Sequence, residues 1–268
     1  MALRLASAAV GLPMLVGAVL VGGAWFSALL AAAAAVGAVE VCRMAARQGR
    51  HPAAPLAALW AAAIVGAGYF LADGTGASTV LAAIAGLWAA TGAIWALAQL
   101  RAGTTVSDWG LTVAAALVTG GPLSYGPLIR ELSEGRDWVF VVLLVTFAAD
   151  TGALAVGKSI GRHRLAPTMS PGKTWEGAAG GLVAAIAAGL GLRYIFDLDV
   201  SPMTAAVLGA LMAIAGMLGD LAESRLKRAA GVKDSGWLIP GHGGVLDRMD
   251  SIVLNMVLVY YVLIWVVQ

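Results

Sequence analysis

Long, nearly unbroken apolar runs recur along this chain, and polar residues collect in the short segments between them. A membrane-crossing helix needs about 20 mostly apolar residues. Nine stretches meet that length: 5–22, 24–42, 55–72, 78–100, 109–129, 138–157, 177–196, 202–220 and 249–267. Barrel strands would instead alternate apolar and polar positions over about 10 residues. The continuous runs therefore predict an all-α polytopic bundle of about nine transmembrane helices. Spans of about 20 residues take up most of the chain, so it reads as a single bundle over 1–268. Within it, N-terminal membrane helices (1–137) precede helices joined by longer polar loops (138–268). Only Gly22, Gly23 and Ala24 separate the first two spans, which predicts a tight hairpin. The first run could mimic a signal peptide, but the further spans favour reading it as a membrane helix.

Composition agrees with the pattern. Of 268 residues, 60% are hydrophobic and 12% charged, with a mean hydropathy of +0.86. Soluble domains carry about 25% charged residues, and half that amount cannot coat a water-soluble globule. Soluble enzymes, disordered chains and coiled coils are excluded on this ground. Cys42 stands alone, so no intrachain disulfide forms and a cysteine-based metal site is excluded.

The placement of charge orients the chain. Lys and Arg favour cytoplasmic loops. With the N-terminus inside, the inner segments hold Arg4, Arg43, Arg47, Arg50, Arg101, Lys158, Arg162, Arg164, Lys173, Arg225, Lys227, Arg228, Lys233 and Arg248. The outer ones hold only Arg130, Arg136 and Arg193. This bias predicts a cytoplasmic N-terminus and, with nine spans, an outside C-terminus. Trp25, Trp109, Trp138 and Trp175 fall near span ends, where interfacial aromatics belong.

The two longest polar stretches after residue 54 are 158–176 and 221–248. Both fall on the inner side, so chemistry is expected at the cytoplasmic ends of spans six to nine. Asp150 lies inside span six. Intramembrane carboxylates are costly and usually mark function, although a structural partner for a nearby Arg or Ser is the alternative. Asp220 and Glu223, at the end of span eight, are spaced i, i+3 and share a helix face. Asp247 and Asp250 repeat the spacing where span nine begins. Two oxygen-only pairs suit a hard cation, Mg²⁺ rather than Zn²⁺. The alternative for Asp247 and Asp250 is helix capping. Lys173, Lys227, Arg228, Lys233 and Arg248 surround these acids, as phosphate binding requires. Ser170-Pro-Gly-Lys-Thr174 is not a P-loop, because Pro167 stands where the first glycine is required and no strand is expected before it. A phosphate-binding turn at the N-terminus of span seven remains open. His242-Gly243-Gly244 is a flexible segment whose glycines permit close backbone approach to a ligand. Gly177 and Gly181 form a G-x-x-x-G pair, which predicts close helix packing.

The segment from Ser224 to Asp250 closely resembles the signature of phosphatidate cytidylyltransferases. It meets S-x-hydrophobic-K-R-x4-K-D at Ser224, Leu226, Lys227, Arg228, Lys233 and Asp234. It meets H-G-G-x-x-D-R-x-D at His242, Gly243, Gly244, Asp247, Arg248 and Asp250. Asp150-Thr-Gly-Ala resembles the family's D-[ST]-[AG]-A segment, and Ser170-Pro-Gly-Lys-Thr-Trp-Glu-Gly177 its S-P-x-K-T-x-E-G segment. Leu154 and Lys158 depart from it, standing where Tyr and Arg are expected.

The resemblance implies that CTP and phosphatidic acid from the bilayer give CDP-diacylglycerol and pyrophosphate, a step of phospholipid biosynthesis in a bacterial cytoplasmic membrane. Asp220 and Asp247, then Glu223 and Asp250, are the expected Mg²⁺ ligands. A second cation stays open. Lys173, Lys227, Arg228, Lys233 and Arg248 are expected on phosphates, with Ser170, Thr174 and Ser224 donating hydrogen bonds. Glu176, Asp234, His242, Gly243 and Gly244 complete the expected site, and Asp150 either orients a basic residue or binds metal. No nucleic acid is expected, and only the resemblance suggests a homodimer. Two other readings stay open: a related CTP-dependent enzyme acting on another membrane lipid, and an ion-coupled transporter. Carriers usually bind near the midplane of repeated halves, whereas here charges gather at one face and no repeat is visible.

Overall fold

In a computed structural model of the chain, residues 2–99, 105–236, 238 and 243–267 are described. Apolar sequence becomes helix here because a bilayer offers the backbone no hydrogen-bond partner, and a helix satisfies its own. The helices are α1 (Ala2–Val21), α2 (Gly23–Ala46), α3 (Ala54–Ala72), α4 (Ala77–Gln99), α5 (Val106–Leu123), α6 (Tyr125–Arg130), α7 (Gly135–Ile160), α8 (Trp175–Ile195), α9 (Pro202–Ala229) and α10 (Leu246–Val262). A wider turn, Leu263–Val267, prolongs α10. Among the described residues, each predicted span falls almost wholly on helix, the fifth on α5 and α6 together. Among the described residues, eight helical stretches are long and apolar enough to cross a membrane, and Ala9–Val21 is a shorter apolar helix. Outward-facing Leu154, Val183 and Leu218 are exposed, as side chains that meet lipid tails should be.

Three features differ from the sequence expectation. The fifth span is present as one stretch, Val106–Arg130, but with a local turn at Ser124 between α5 and α6; Pro122 and Pro127, which cannot donate backbone hydrogen bonds, flank the turn. α9 continues more than two turns past residue 220, to Ala229. Residues 164–174, expected as a loop, form an antiparallel hairpin of β1 (Arg164–Ala166) and β2 (Ser170–Thr174), with Arg164 opposite Thr174. A strand therefore does precede α8, although Pro167 still rules out a P-loop.

The chain divides into two compact units. The first holds the residues through Glu131 together with Ala230–Asp247. The predicted hairpin between the first two spans forms at Gly22 and Gly23, whose φ of 70° and 51° suits glycine. Trp109 packs against Trp60 and Trp95, with centroids 4.9 and 4.6 Å away.

The second unit holds Leu132–Ala229 and the chain from Arg248 onward. Here α8 lies between α7 and α9. The Gly177/Gly181 expectation is met, since a Cβ there would fall 2.8 Å from the Ala153 carbonyl oxygen and 2.9 Å from that of Ala149 on α7. Gly209 plays the same part between α9 and α8, where a Cβ would lie 2.6 Å from the Ala185 carbonyl oxygen. Fully buried Asn255 on α10 donates from Nδ2 to Thr146 Oγ1 on α7 at 2.8 Å. Trp138, expected at the interface, is buried, while Trp25 and Trp175 are exposed.

Candidate active site

The β1–β2 hairpin delivers the S-P-G-K-T segment to the start of α8. Buried Thr174 is the N-cap, its Oγ1 accepting from the Gly177 N–H at 3.0 Å. Removing such a cap costs about 1 kcal/mol, so Thr174→Ala is expected to lower the melting temperature of the purified protein in detergent, read by a thermal unfolding scan. An unchanged midpoint would remove Thr174 from this role. Glu176, one of the residues expected on substrate, braces the hairpin. Its carboxylate meets the His163 ring at 2.6 Å and accepts from the Arg162 and His163 backbone N–H groups at 3.1 and 3.2 Å. Ser170 opens β2 opposite Ala166.

Lys173, next to the cap, reaches α9. Its ammonium lies 2.6 Å from Asp220 Oδ2. Because α9 persists beyond residue 220, Asp220, Glu223, Ser224 and Lys227 stand at i, i+3, i+4 and i+7, one helical face. Ser224 Oγ donates to Asp220 Oδ1 at 3.2 Å, and Lys227 pairs with Glu223 at 3.0 Å. Glu223 is 7% exposed and Ser224 9%, so these contacts are largely shielded from water. Asp250 adds a carboxylate close to Asp220 and Lys227. Asp150, one turn beyond Thr146 on α7, lies in the field of Asp220, Asp250, Lys173 and Arg248. Arg228, expected on a phosphate, donates from Nε to the Met169 carbonyl at 3.3 Å and so ties the end of α9 to the hairpin turn.

The second unit thus gathers four carboxylates (Asp150, Asp220, Glu223, Asp250) around three cations (Lys173, Lys227, Arg248). The acids outnumber the cations, and their donors are oxygen alone. Among the described residues, no three His, Cys, Asp or Glu side chains converge as a ready-made metal cage. Magnesium rarely uses such a cage; it is usually held by one or two carboxylates plus substrate phosphates. Asp220 and Asp250 fit that partial role, and an added dication would offset the excess of acid.

The other expected residues lie in the first unit. Asp247 turns its Oδ2 onto its own loop and accepts from Ser235 N–H, Ser235 Oγ and Gly244 N–H at 2.9, 2.9 and 2.8 Å. Gly243 takes a φ of 88°, a left-handed conformation that favours glycine. Lys233 and Asp234 are exposed on the same loop. His242 lies outside the described residues. One residue of this cluster escaped the sequence reading: Glu40, on α2, is 2% exposed and receives hydrogen bonds from Ser235, Val245 and Leu246. Its only signal was an acid near the end of an otherwise apolar span.

Residues 2–266 match the model of the cytidylyltransferase family. The phosphatidate cytidylyltransferase of Mycobacterium bovis is 40% identical over 161 residues, which are 60% of this chain and 52% of that protein. The Bacillus subtilis enzyme of that name is 39% identical over 160 residues, 59% of this chain and 60% of that protein. The Staphylococcus aureus one is 41% identical over 132 residues, 49% of this chain and 51% of that protein. The chain thus spans about half the length of the curated relatives it matches.

Proposed function

Because this chain belongs to the cytidylyltransferase family, we propose that it transfers the cytidylyl group of CTP to phosphatidic acid, releasing pyrophosphate and forming CDP-diacylglycerol. The observation that carries this reading is the 2.6 Å contact between Lys173 and Asp220. It sets the S-P-G-K-T segment against α9 one turn before the signature that begins at Ser224, and it would supply both a cation for phosphate and an acid for a metal.

A phosphate oxygen of phosphatidic acid attacks the α-phosphorus of CTP in line, and the bond to the pyrophosphate oxygen breaks. The nucleophile is already an anion, so no strong general base is required. Lys173, Lys227 and Arg248 hold and neutralise phosphate oxygens in a partly dehydrated setting, where such contacts gain strength. Ser224 orients Asp220. The motif assigns Lys233 and Asp234 to the same chemistry. Asp220 and Asp250 would hold Mg²⁺, which when bound neutralises the charge that develops on the phosphates. The basic bias of the inner loops supports a site on the cytosolic side, where CTP is found, with the lipid entering from the bilayer.

The test is an assay of the purified protein with CTP labelled in the cytidine and with phosphatidic acid in mixed micelles. Labelled CDP-diacylglycerol and an equal amount of pyrophosphate are expected, both lost on adding a chelator and restored by Mg²⁺. Label transfer only to an ether lipid, phosphate transfer to a polyprenol, or no lipid product at all would overturn the reading.

A further inference from the structure

Glu40 is an acid with 2% exposure on a helix built to cross a membrane. Burying a carboxylate is costly unless its oxygens find partners. Among the described residues, no Lys, Arg or His forms an ion pair with it. Its partners are neutral donors from a loop some 200 residues away in sequence. Oε1 accepts from the Val245 N–H at 3.0 Å, and Oε2 accepts from the Leu246 N–H at 2.9 Å and, at 3.0 Å from Ser235 Oγ, shares that hydroxyl's single proton with Asp247 Oδ2. The two backbone N–H groups open α10, where amides have no partner within the helix. Glu40 therefore caps α10 from another helix, where the partial positive charge of a helix start favours an anion.

The loop is fitted to this carboxylate. A Cβ at Gly244 would lie 2.6 Å from both Glu40 oxygens, and a Cβ at Gly236 would collide with Oε1. Ser235 and Gly244, which meet Glu40 on one side, are the residues that donate to Asp247 on the other. Asp247 is followed directly by Arg248 and, one turn on, by Asp250. The cap thus sets where α10 starts and holds Asp247 at its beginning.

We propose that Glu40 is a positioning residue for the transfer reaction, holding Ser235, Gly236 and residues 244–247 at the start of α10 in their working geometry without touching substrate. This rests on the cytidylyltransfer reading, so wild-type protein is assayed alongside. An inactive wild type would count against that reading. An active wild type with an unaffected variant would count against Glu40.

Glu40→Gln keeps the size of the side chain but sets an NH₂ group against backbone N–H donors. Its kcat is expected to fall about 10–100-fold, the effect of displacing reacting groups by about an ångström. The KM for CTP should stay within about threefold of wild type by the same argument. Hydrogen exchange should quicken at Val245 and Leu246 and stay unchanged in α7 and α8. Gly236→Ala retains the glutamate but displaces its carboxylate, and it should reproduce this pattern; in the double variant the losses should not add. A kcat within about twofold of wild type in both single variants would overturn the proposal, since a positional cost of this kind is larger. So would activity lost together with exchange protection throughout the chain, which marks a purely structural residue. Should Glu40→Gln fail to fold, Gly236→Ala alone decides by the same readouts.

Discussion

Replacing Lys173 by methionine is expected to lower turnover by about 10²–10³-fold, the usual cost of removing one positioned charge-stabilising group. The reason lies in the imbalance around it. Lys173 sits 2.6 Å from Asp220, and Asp150 and Asp250 crowd the same region. Without the ammonium, three neighbouring carboxylates repel one another as well as an incoming triphosphate. Removing one partner of a shielded pair also costs stability. The side chains are 22% and 31% exposed, so that cost stays below the 3–5 kcal/mol typical of fully buried pairs. Lys173→Met with Asp220→Asn separates the two effects. The double variant leaves no orphaned charge, so its melting temperature should recover while turnover stays low. Lys173→Arg keeps the charge in a different geometry and should regain only part of the activity. The checks are kcat from label transfer and a melting scan of each variant. Turnover above about a tenth of wild type in Lys173→Met would place the charge-stabilising role elsewhere.

The spans were legible because a bilayer imposes both length and apolarity on what crosses it. The face formed by Asp220, Glu223, Ser224 and Lys227 followed from helical spacing once α9 continued past residue 220. That continuation was legible only as far as Glu223: the segment beyond it is charged and reads as a loop, but in the helix the Glu223–Lys227 pair becomes an i, i+4 contact. The hairpin was hidden because its strands are only 3 and 5 residues long and polar. Lys173 and Asp220 were both candidates, yet no local rule joins residues on different elements. Glu40 was missed for a related reason. Its partners are mainly backbone N–H groups, which carry no residue identity, and the glycines that make room for it read only as flexible. Asp247 reads from sequence as one of a matched acidic pair. In the structure Asp247 accepts hydrogen bonds from its own loop, and Asp250 lies close to Asp220 of α9.

Gly219→Ala should abolish most activity without altering any charge. A Cβ at this position would run into the Asp250 carbonyl oxygen, a backbone atom that cannot rotate away. Relief requires moving α9 and α10 apart, and the residues flanking this contact are Asp220 and Asp250 themselves. Overpacking of this kind costs about 1–3 kcal/mol. A displacement of about 1 Å at the reacting groups costs about 10²-fold in rate, so the kinetic loss should exceed what the stability change implies. Gly216, one turn earlier, provides the control. Its added Cβ would meet side-chain atoms, Asn255 Nδ2 at 3.3 Å and Ser251 Cβ at 3.4 Å, which can yield by a few tenths of an ångström. Gly216→Ala should therefore keep activity within a few-fold of wild type. The comparison is kcat for the two variants under saturating CTP and lipid. Equal effects would mean that the close approach at Gly219 does not set the spacing of the two carboxylates. A loss confined to Gly219→Ala would tie that spacing to the chemistry, because both substitutions add the same methyl group to the same helix.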